Sequence, residues 1–310
     1  MSDKRIIAVV GPTASGKTAL AVEIAKEIGA EIISCDSMQV YKGMDIGTAK
    51  VSRGEMQGIP HHLIDVTLPE GDFSCAEYSE LAKAAIEDIT SRGKRVVFCG
   101  GTGLYLDSVI GISAFSEAGI DEDFRSEMMK RSPDELHEKL RSIDPESAES
   151  IHKNNVKRVI RALEIYHITG KAKSEWDDLS RLVKPPYESV IIGLDTKNRQ
   201  TLYDRINQRV DIMMQNGLLD EVRGLDCPKF RASVASDGIG YKEILDCFDG
   251  KCTLDEAIEQ IKQASRNYAK RQLTWFRRNK SVKWIYTDEF EGENNFKLIV
   301  NYAIGLLNNN

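Results

Sequence analysis

The sequence predicts an α/β protein, with a parallel β-sheet core of the P-loop kind and an all-helical domain inserted into it. Short apolar runs alternate with segments of helical periodicity, which is the pattern of a parallel sheet covered by helices. A glycine-rich turn joins the first apolar run to the first helical segment. From about residue 113 to 184 the strand-like runs give way to charged helical segments. We therefore expect a core domain of residues 1–112 and 185–310 and a helical insertion of residues 113–184.

The glycine-rich turn has the sequence of a phosphate-binding loop. It follows the apolar run Ile6–Val10 and reads Gly11-Pro12-Thr13-Ala14-Ser15-Gly16-Lys17-Thr18. Strand, glycine-rich turn, Lys-Thr and helix in that order satisfy the P-loop pattern. Backbone N–H groups and a helix N-terminus favour phosphate oxygens, Lys17 adds a cation, and the Thr18 hydroxyl is suited to hold Mg²⁺. The sequence predicts a site for a di- or triphosphate.

Two more predicted strands end in residues suited to chemistry. The run 30–35 ends at Asp36, and the run 94–99 ends in a second glycine-rich turn that contains Thr102. The carboxyl ends of parallel strands meet at one edge of a sheet, so both residues are expected beside the phosphate loop. Asp36 is a candidate acid/base, an indirect Mg²⁺ ligand or a helix cap. The second turn is suited to close approach of a ligand. The strand before it does not end in the Asp of the Walker B motif, which an ATPase would need.

Basic residues are concentrated near the C-terminus. The whole chain has a net charge of −6, yet residues 260–287 hold eight basic residues and no acidic one, and the aromatic residues Tyr268, Trp275, Phe276 and Trp284 are interleaved with them. Such a segment is suited to a nucleic-acid backbone and to stacking. Two smaller groups are weaker signals. Lys157, Arg158 and Arg161 form a cluster for which a solvated helix face is the default, and Arg205 and Arg209 lie four residues apart.

Five motifs occur in one order, and together they resemble a known family. They are the P-loop, Asp36–Gln39, Gly100–Tyr105, Gly238–Tyr241 and Lys270–Arg277. From about residue 5 to 285 the chain closely resembles the tRNA dimethylallyltransferases, also called tRNA isopentenyltransferases. The resemblance implies transfer of a dimethylallyl group from dimethylallyl diphosphate to N6 of the adenine at tRNA position 37, beside the anticodon. A C-terminal zinc finger is lacking, which favours the bacterial type.

The resemblance also implies catalytic roles. Asp36 would be the general base, Thr102 would hydrogen-bond near the reacting centre, and Lys17 would stabilise the leaving diphosphate. Arg209, rather than Arg205, would be a further diphosphate contact, and Mg²⁺ would be held by Thr18. The implied diphosphate site comprises Gly11, Pro12, Thr13, Ala14, Ser15, Gly16, Lys17, Thr18 and Arg209.

The tRNA contacts implied by the resemblance fall into six groups along the chain. Lys157-Arg158 stands where relatives often have Gln-Arg. The implied contacts are Asp36, Ser37, Met38, Gln39, Thr102, Arg125, Lys157, Arg158, Val159, Ile160, Arg161, Asp237, Gly238, Ile239, Gly240, Tyr241, Lys242, Lys270, Arg271, Gln272, Leu273, Thr274, Trp275, Phe276 and Arg277. We expect the anticodon stem-loop to be the part of tRNA that they bind.

Composition limits the setting of the protein. Six scattered cysteines without a Cys-x-x-Cys pair indicate free thiols in a reducing compartment. No apolar run approaches the roughly 20 residues that cross a bilayer. The first strand begins near Arg5, so we expect no signal peptide, a cytoplasmic location and a monomer. The pair His61-His62 has no third ligand at metal spacing and is expected to pack or cap.

Three alternatives remain at this stage. A P-loop kinase acting on a nucleotide or small metabolite would use the same Lys17, Thr18 and Asp36 but has no need of the basic segment. An isopentenyltransferase acting on free adenine nucleotides would leave the RNA-contact motifs unused. A non-catalytic RNA-binding protein would leave the phosphate loop and Asp36 unexplained.

Overall fold

The structure, a computed structural model, describes residues 5–111, 119–182, 185–290 and 295–308. The chain forms two compact units. One spans residues 110–186, and the other combines the residues before and after it. The sequence-predicted insertion, residues 113–184, lies inside the first of these ranges.

The larger unit is built on a six-stranded sheet in which all the neighbouring strands are parallel, with strand order β3-β2-β4-β1-β5-β6. The strands are β1 (Ile6–Val10), β2 (Ala30–Cys35), β3 (His61–His62), β4 (Arg95–Gly100), β5 (Ser189–Asp195) and β6 (Lys283–Tyr286). Val10 of β1 is in register with Gly100 of β4, and Gly100 with Cys35 of β2. The three loops that follow these strands therefore leave the sheet side by side. The predicted α/β class and parallel sheet are confirmed.

Helices account for most of the rest of the described chain. In chain order they are α1 (Lys17–Ile28), α2 (Arg53–Met56), α3 (Cys75–Ser91), α4 (Gly103–Ile110), α5 (Glu122–Met128), α6 (Pro133–Ile143), α7 (Pro145–Ser150), α8 (Val156–Thr169), α9 (Lys173–Leu182), α10 (Arg199–Gln215), α11 (Leu218–Leu225), α12 (Pro228–Arg231), α13 (Tyr241–Phe248), α14 (Leu254–Phe276) and α15 (Asn295–Asn308). Two 3₁₀ turns, Val234–Asp237 and Thr287–Glu289, complete the set.

The core of the larger unit lies on the sheet. Every residue of β1 and β2 is buried, as expected for parallel strands with helices on both faces. Leu20 and Ile24 of α1 are fully buried and pack in one cluster with Val9, Ile32 and residues of α15. Helix α1 ends at Gly29, which has the left-handed conformation typical of a helix C-cap. The phosphate loop is therefore held between two elements that pack in the core, β1 before it and α1 after it.

The smaller unit is helical throughout its described residues. Ser132 caps α6 in a reciprocal capping box with Glu135, and Asp144 caps α7. Its apolar core is formed by α6 and α8, including Leu136, Leu140, Val159 and Leu163. Glu164 of α8 is fully buried beside this core. Its carboxylate accepts hydrogen bonds from the Asp121 backbone N–H and from Arg125 and Arg161.

A buried carboxylate ties β2 to the end of α3. Glu31 accepts hydrogen bonds from both terminal nitrogens of Arg92, and its Oε2 lies 2.8 Å from Nε2 of His62. The hydrogen bonds from Arg92 are the largest effect and, with His62, hold the pKa of Glu31 at about 2 in spite of burial. Of the two residues in the His61-His62 pair, His62 therefore has a structural role as a partner of Glu31.

We predict that Glu31 stabilises the fold at neutral pH and stops doing so in acid. Because the pKa of Glu31 is lower in the folded than in the unfolded chain, its contribution is complete above pH 4.5 and is lost as the pH falls to about 2. The free energy of unfolding of the wild type should exceed that of Glu31→Gln at pH 7, and the gap should close between pH 4.5 and 2. Denaturant unfolding at several pH values measures this. A gap that is the same at pH 3 and pH 7 would contradict the assignment.

Candidate active site

The phosphate loop leaves β1 at Gly11 and enters α1 at Lys17. A β-carbon at Gly11 would lie 2.4 Å from the carbonyl oxygen of Leu194, so only glycine fits there. Ala14 has a positive φ of 62°, an uncommon conformation that the loop imposes. The Ser15 hydroxyl oxygen is buried and has no hydrogen-bond partner among the described residues. The loop is tightly folded, and the Ser15 hydroxyl within it makes no hydrogen bond to the described residues.

Two cations lie at this loop. Lys17 donates to the carbonyl oxygen of Pro12 at 2.8 Å. Burial, the largest effect, and the nearby Arg209 lower its pKa to about 8, against opposing effects of Cys99 and Asp36. Burial also lowers the pKa of Arg209, which makes no hydrogen bond or ion pair with any described residue. Arg205, in contrast, donates to the Thr287 hydroxyl at 3.2 Å. Of the two arginines, Arg209 is therefore the one that is available to an anion at the loop.

Asp36 and Thr102 lie in the turns that follow β2 and β4. One carboxylate oxygen of Asp36 accepts from the backbone N–H of Met38 at 3.0 Å, so the residue caps its own turn. The Thr102 hydroxyl oxygen accepts from the backbone N–H of Ser37 at 3.0 Å and lies 3.3 Å from the Ser37 hydroxyl. Thr102 thus holds the turn that carries Asp36. The second carboxylate oxygen of Asp36 has no partner among the described residues.

One cavity of about 890 Å³ brings the phosphate loop and Asp36 together. Its other walls are side chains of α10 and α14, the segment of residues 45–52 and the turn before α13. The sequence-predicted site residues that line it are Thr13, Ala14, Ser15, Gly16, Lys17, Thr18, Asp36, Ser37, Met38, Gln39, Arg209, Asp237, Gly238, Ile239, Gly240, Tyr241, Arg271 and Gln272. The phosphate loop and several of the stretches that the resemblance assigned to tRNA therefore line the same cavity of the larger unit.

Part of the cavity wall depends on Glu221, which the sequence analysis did not single out. Its carboxylate accepts from the backbone N–H groups of Asp45, Ile46 and Gly47 at 2.7–3.0 Å and from the Tyr241 hydroxyl at 2.6 Å. It fixes the segment 45–47 over the cavity. No sequence motif marks Glu221, because its partners are backbone groups some 175 residues away along the chain.

Two further wall residues were missed as site residues. Tyr268 of α14 lies beside Thr102 and Gln272. Burial, the largest effect, and the charge of Asp36 raise the pKa of Tyr268 to about 12, so the hydroxyl keeps its proton. The second is His61, whose Nδ1 lies 2.9 Å from the Ile59 carbonyl and must carry the proton there. Its Nε2 is buried without a partner among the described residues.

Gln39 and the backbone amide of Thr13 were expected to contact ligands, but in the structure both form hydrogen bonds within the protein. The Gln39 carboxamide lies 3.1 Å from the Ser34 hydroxyl and 3.3–3.4 Å from the carbonyl oxygens of Thr48 and Ala49, so it holds a neighbouring loop. The Thr13 N–H is donated to Gln272 at 2.9 Å and is not available to a diphosphate in this conformation.

The second glycine-rich turn also has a different use from the one predicted. A β-carbon at Gly101 would lie 2.0 Å from Nε2 of Gln272, and one at Gly103 would lie 2.1 Å from the Trp275 ring. These two glycines admit side chains of α14 rather than a ligand. The prediction was close approach of a ligand, whereas at these two glycines the structure shows close approach of the protein's own side chains.

Several of the residues predicted to contact tRNA have buried side chains in this structure. Six of the predicted side chains are almost completely enclosed by protein and are not exposed to an RNA in this conformation. They are Val159, Ile160, Tyr241, Gln272, Leu273 and Phe276. The resemblance placed contacts on continuous stretches, whereas a helix exposes only some of its residues. Lys157 and Arg158 are exposed, while Arg125 and Arg161 are partly buried against Glu164.

The basic segment 260–287 is mostly helical, and several of its basic side chains differ in their partners. Lys262 forms ion pairs with Asp211 and Glu259, and Arg277 with Asp195. Lys270, Arg271 and Arg278 are exposed and have no acidic partner among the described residues. Of the aromatic residues that suggested stacking, Phe276 is buried and one face of Trp275 is covered by Arg278 at 3.9 Å. Positive charge, rather than free aromatic faces, is what the segment presents.

The residues at the loop fit a Mg²⁺ ion that is held mainly by substrate oxygens. No described residues form a cluster of three or more His, Cys, Asp or Glu side chains able to hold a metal. Mg²⁺ commonly takes one or two protein ligands and completes its shell with substrate phosphates and water. The Thr18 hydroxyl lies beside the Cys99 thiol, whose pKa burial raises to about 11, so the thiol stays neutral. Thr18 is the side chain suited to this role.

Fold and cavity together define a P-loop protein whose phosphate site opens into the same space as a carboxylate. A family model described as "IPP transferase" matches residues 39–279. The chain belongs to this family of tRNA isopentenyltransferases, also named tRNA dimethylallyltransferases. It is 48% identical to the tRNA dimethylallyltransferase of Thermoanaerobacter sp. (strain X514), over 98% of this chain and 99% of that protein. It is 51% identical to the one of Bacillus subtilis (strain 168), over 90% of each.

Solved structures agree. The full-length tRNA isopentenylpyrophosphate transferase of Bacillus halodurans is 44% identical, with a TM-score of 0.73 over 99% of this chain and 97% of that one. A eukaryotic dimethylallyltransferase described as acting on tRNA is 29% identical, with a TM-score of 0.79 over 91% of this chain and 73% of that one.

All six cysteines are free thiols. None of the helices in the described residues is long and apolar enough to span a membrane.

We predict that diphosphate affinity depends on the charge of Lys17. With a pKa of about 8, Lys17 is protonated below that pH, and its ammonium favours the diphosphate. The affinity for dimethylallyl diphosphate should therefore be greatest below pH 8 and fall by up to about tenfold per pH unit above it. Lys17→Arg should remove this dependence, because a guanidinium stays charged throughout. Calorimetry between pH 7 and 10 measures it; a wild-type affinity that is constant over this range would contradict the prediction.

Proposed function

We propose that this protein transfers a dimethylallyl group from dimethylallyl diphosphate to N6 of the adenine at tRNA position 37 and releases diphosphate. The observation that carries the proposal is that Lys17, Arg209 and Asp36 line a single cavity of about 890 Å³. An anion site and a carboxylate in one cavity suit a reaction in which a diphosphate leaves as an amine attacks. Membership of the tRNA isopentenyltransferase family supports tRNA and dimethylallyl diphosphate as the two substrates.

The phosphate loop supports departure of the diphosphate. Substitution at the allylic carbon breaks the C–O bond, and negative charge develops on the diphosphate oxygens. Lys17 is held by the Pro12 carbonyl, and the Arg209 guanidinium has no competing partner among the described residues, so both are available to stabilise this charge. The unpaired hydroxyl of Ser15 offers a further donor. When bound at Thr18, Mg²⁺ would neutralise part of the same charge.

Asp36 supports attack by the adenine amine. The lone pair of N6 is delocalised into the ring, so the amine is a poor nucleophile and must lose a proton as the new C–N bond forms. One oxygen of Asp36 is fixed by the Met38 N–H, which leaves the other to accept this proton. Thr102 orients the turn through Ser37 and thereby holds Asp36 in place. An adenine can reach the cavity only after it leaves the stack of the anticodon loop.

Exposed positive charge supports RNA as the acceptor. Lys270, Arg271 and Arg278 of the larger unit and Lys157 and Arg158 of the helical unit are available to phosphates. A mononucleotide acceptor would give these residues nothing to bind. The kinase alternative is not supported by the family to which the chain belongs. A cytoplasmic location and a monomeric state complete the proposal.

The direct test is transfer of label from dimethylallyl diphosphate to an unmodified tRNA. Two parallel reactions, one with AMP as the acceptor and one that follows hydrolysis of ATP, cover the alternatives. We expect label in the adenine at position 37, with negligible label in AMP and no ADP. Label in AMP but not in tRNA, or ADP formation without any transfer, would replace the proposal with the corresponding alternative.

We predict that Asp36→Asn lowers kcat for transfer by about 10²–10⁴-fold, the usual contribution of a positioned general base. The asparagine oxygen can still accept from the Met38 N–H, so the turn and the affinity for dimethylallyl diphosphate should be retained. Single-turnover transfer and calorimetry separate the two effects. Asp72→Asn, which changes an exposed carboxylate outside the cavity, should leave both unchanged. An Asp36→Asn enzyme with more than a tenth of wild-type kcat would exclude Asp36 as the base.

A further inference from the structure

Gln272 of α14 bridges the two glycine-rich turns of the site. Its Oε1 accepts from the backbone N–H of Thr13 in the phosphate loop at 2.9 Å. Its Nε2 donates to the backbone carbonyl of Gly101 in the second turn at 3.1 Å. A single side chain thus joins three separate parts of the larger unit: α14, the loop after β1 and the turn after β4.

The orientation of this carboxamide is fixed by its partners. A backbone N–H can only donate and a carbonyl oxygen can only accept, so Oε1 must face Thr13 and Nε2 must face Gly101. The side chain is 5% exposed, which keeps water from competing for either bond. Gly101 is part of the arrangement, since a β-carbon there would occupy the position of the amide nitrogen. Both hydrogen-bonding groups of Gln272 are used within the protein.

The two residues that precede Gln272 on α14 take no part in the bridge between the turns. Lys270 is exposed and outside the cavity, and Arg271 is exposed with its guanidinium 5.4 Å from the centre of the Tyr268 ring. One stretch of helix therefore presents exposed cations and also holds the phosphate loop. The stretch Lys270–Arg277, which the resemblance assigned to tRNA as a whole, carries two different tasks.

We infer that Gln272 is a positioning residue for the diphosphate site and not a tRNA contact. It holds the start of the phosphate loop in the shape that places Ser15 and Lys17 at the diphosphate. The inference rests on the proposed function in taking a diphosphate as the ligand of the loop and RNA as the ligand of the exposed face of α14. Loss of the bridge should weaken diphosphate binding and leave RNA binding unchanged.

The test compares two ligands across four variants of the full-length protein. The variants are Gln272→Met, Gln272→Glu, Lys270→Ala and Gln263→Met. Calorimetry gives the Kd of inorganic pyrophosphate with Mg²⁺, and fluorescence anisotropy gives the Kd of an anticodon stem-loop. Gln263→Met is the matched control, because it makes the same replacement at an exposed position of the same helix. Thermal unfolding confirms that each variant is folded.

We expect Gln272→Met to weaken pyrophosphate binding by about tenfold, as for loss of two hydrogen bonds that fix a loop, and to change RNA affinity by less than twofold. Gln272→Glu keeps the shape and the acceptor, but it loses the donor to Gly101 and adds negative charge at the site. It should therefore weaken pyrophosphate binding more than Gln272→Met does, and it provides the same comparison if Gln272→Met does not fold. Lys270→Ala should show the reverse selectivity, and Gln263→Met neither change.

Weaker RNA binding with unchanged pyrophosphate binding in both Gln272 variants would overturn the inference, and so would a wild-type protein that binds no pyrophosphate. A wild-type protein that binds pyrophosphate but no RNA would contradict the proposed function instead. In that case the Gln272 assignment would still be decided by the pyrophosphate measurements alone.

Discussion

The register of three parallel strands determines where the site forms. Val10, Gly100 and Cys35 lie side by side at the carboxyl edge of the sheet, so the loops that follow them begin next to one another. One loop is the P-loop, the next carries Thr102 and the third carries Asp36. A slip of the sheet register would separate the cations from the carboxylate. The chemistry therefore depends on backbone hydrogen bonds between strands that are far apart in the sequence.

Helix α14 completes the site from outside the sheet. Gln272 reaches the phosphate loop, Tyr268 lies beside Thr102 and Asp36, and Trp275 donates to Asp107 at 2.9 Å. Because burial keeps Tyr268 protonated, the carboxylate of Asp36 faces a neutral neighbour rather than a second anion. The exposed side of the same helix carries cations. In this way an acidic chain can offer an RNA backbone a positive surface, because exposed cations are grouped locally.

Much of this arrangement could be predicted, because local sequence determines it. The phosphate loop, the strand ends at Asp36 and Thr102, and the basic helix each follow from residue types at short spacing. The roles of Glu221 and Gln272 could not be predicted in the same way. Gln272 contacts a backbone amide 259 residues away, and nothing near it in the sequence indicates that partner. Burial was the second limit: a motif names a continuous stretch, whereas the fold exposes only some of its residues, as at Val159, Ile160 and Phe276.

The most direct test of the account is a crystal structure of the protein with an anticodon stem-loop and an unreactive analogue of dimethylallyl diphosphate. The account predicts the diphosphate between Lys17 and Arg209, and the N6 atom of a flipped-out adenine within hydrogen-bond distance of the free oxygen of Asp36. A diphosphate bound away from the phosphate loop, or an adenine whose N6 faces another residue while Asp36 contacts only the Met38 amide, would contradict it.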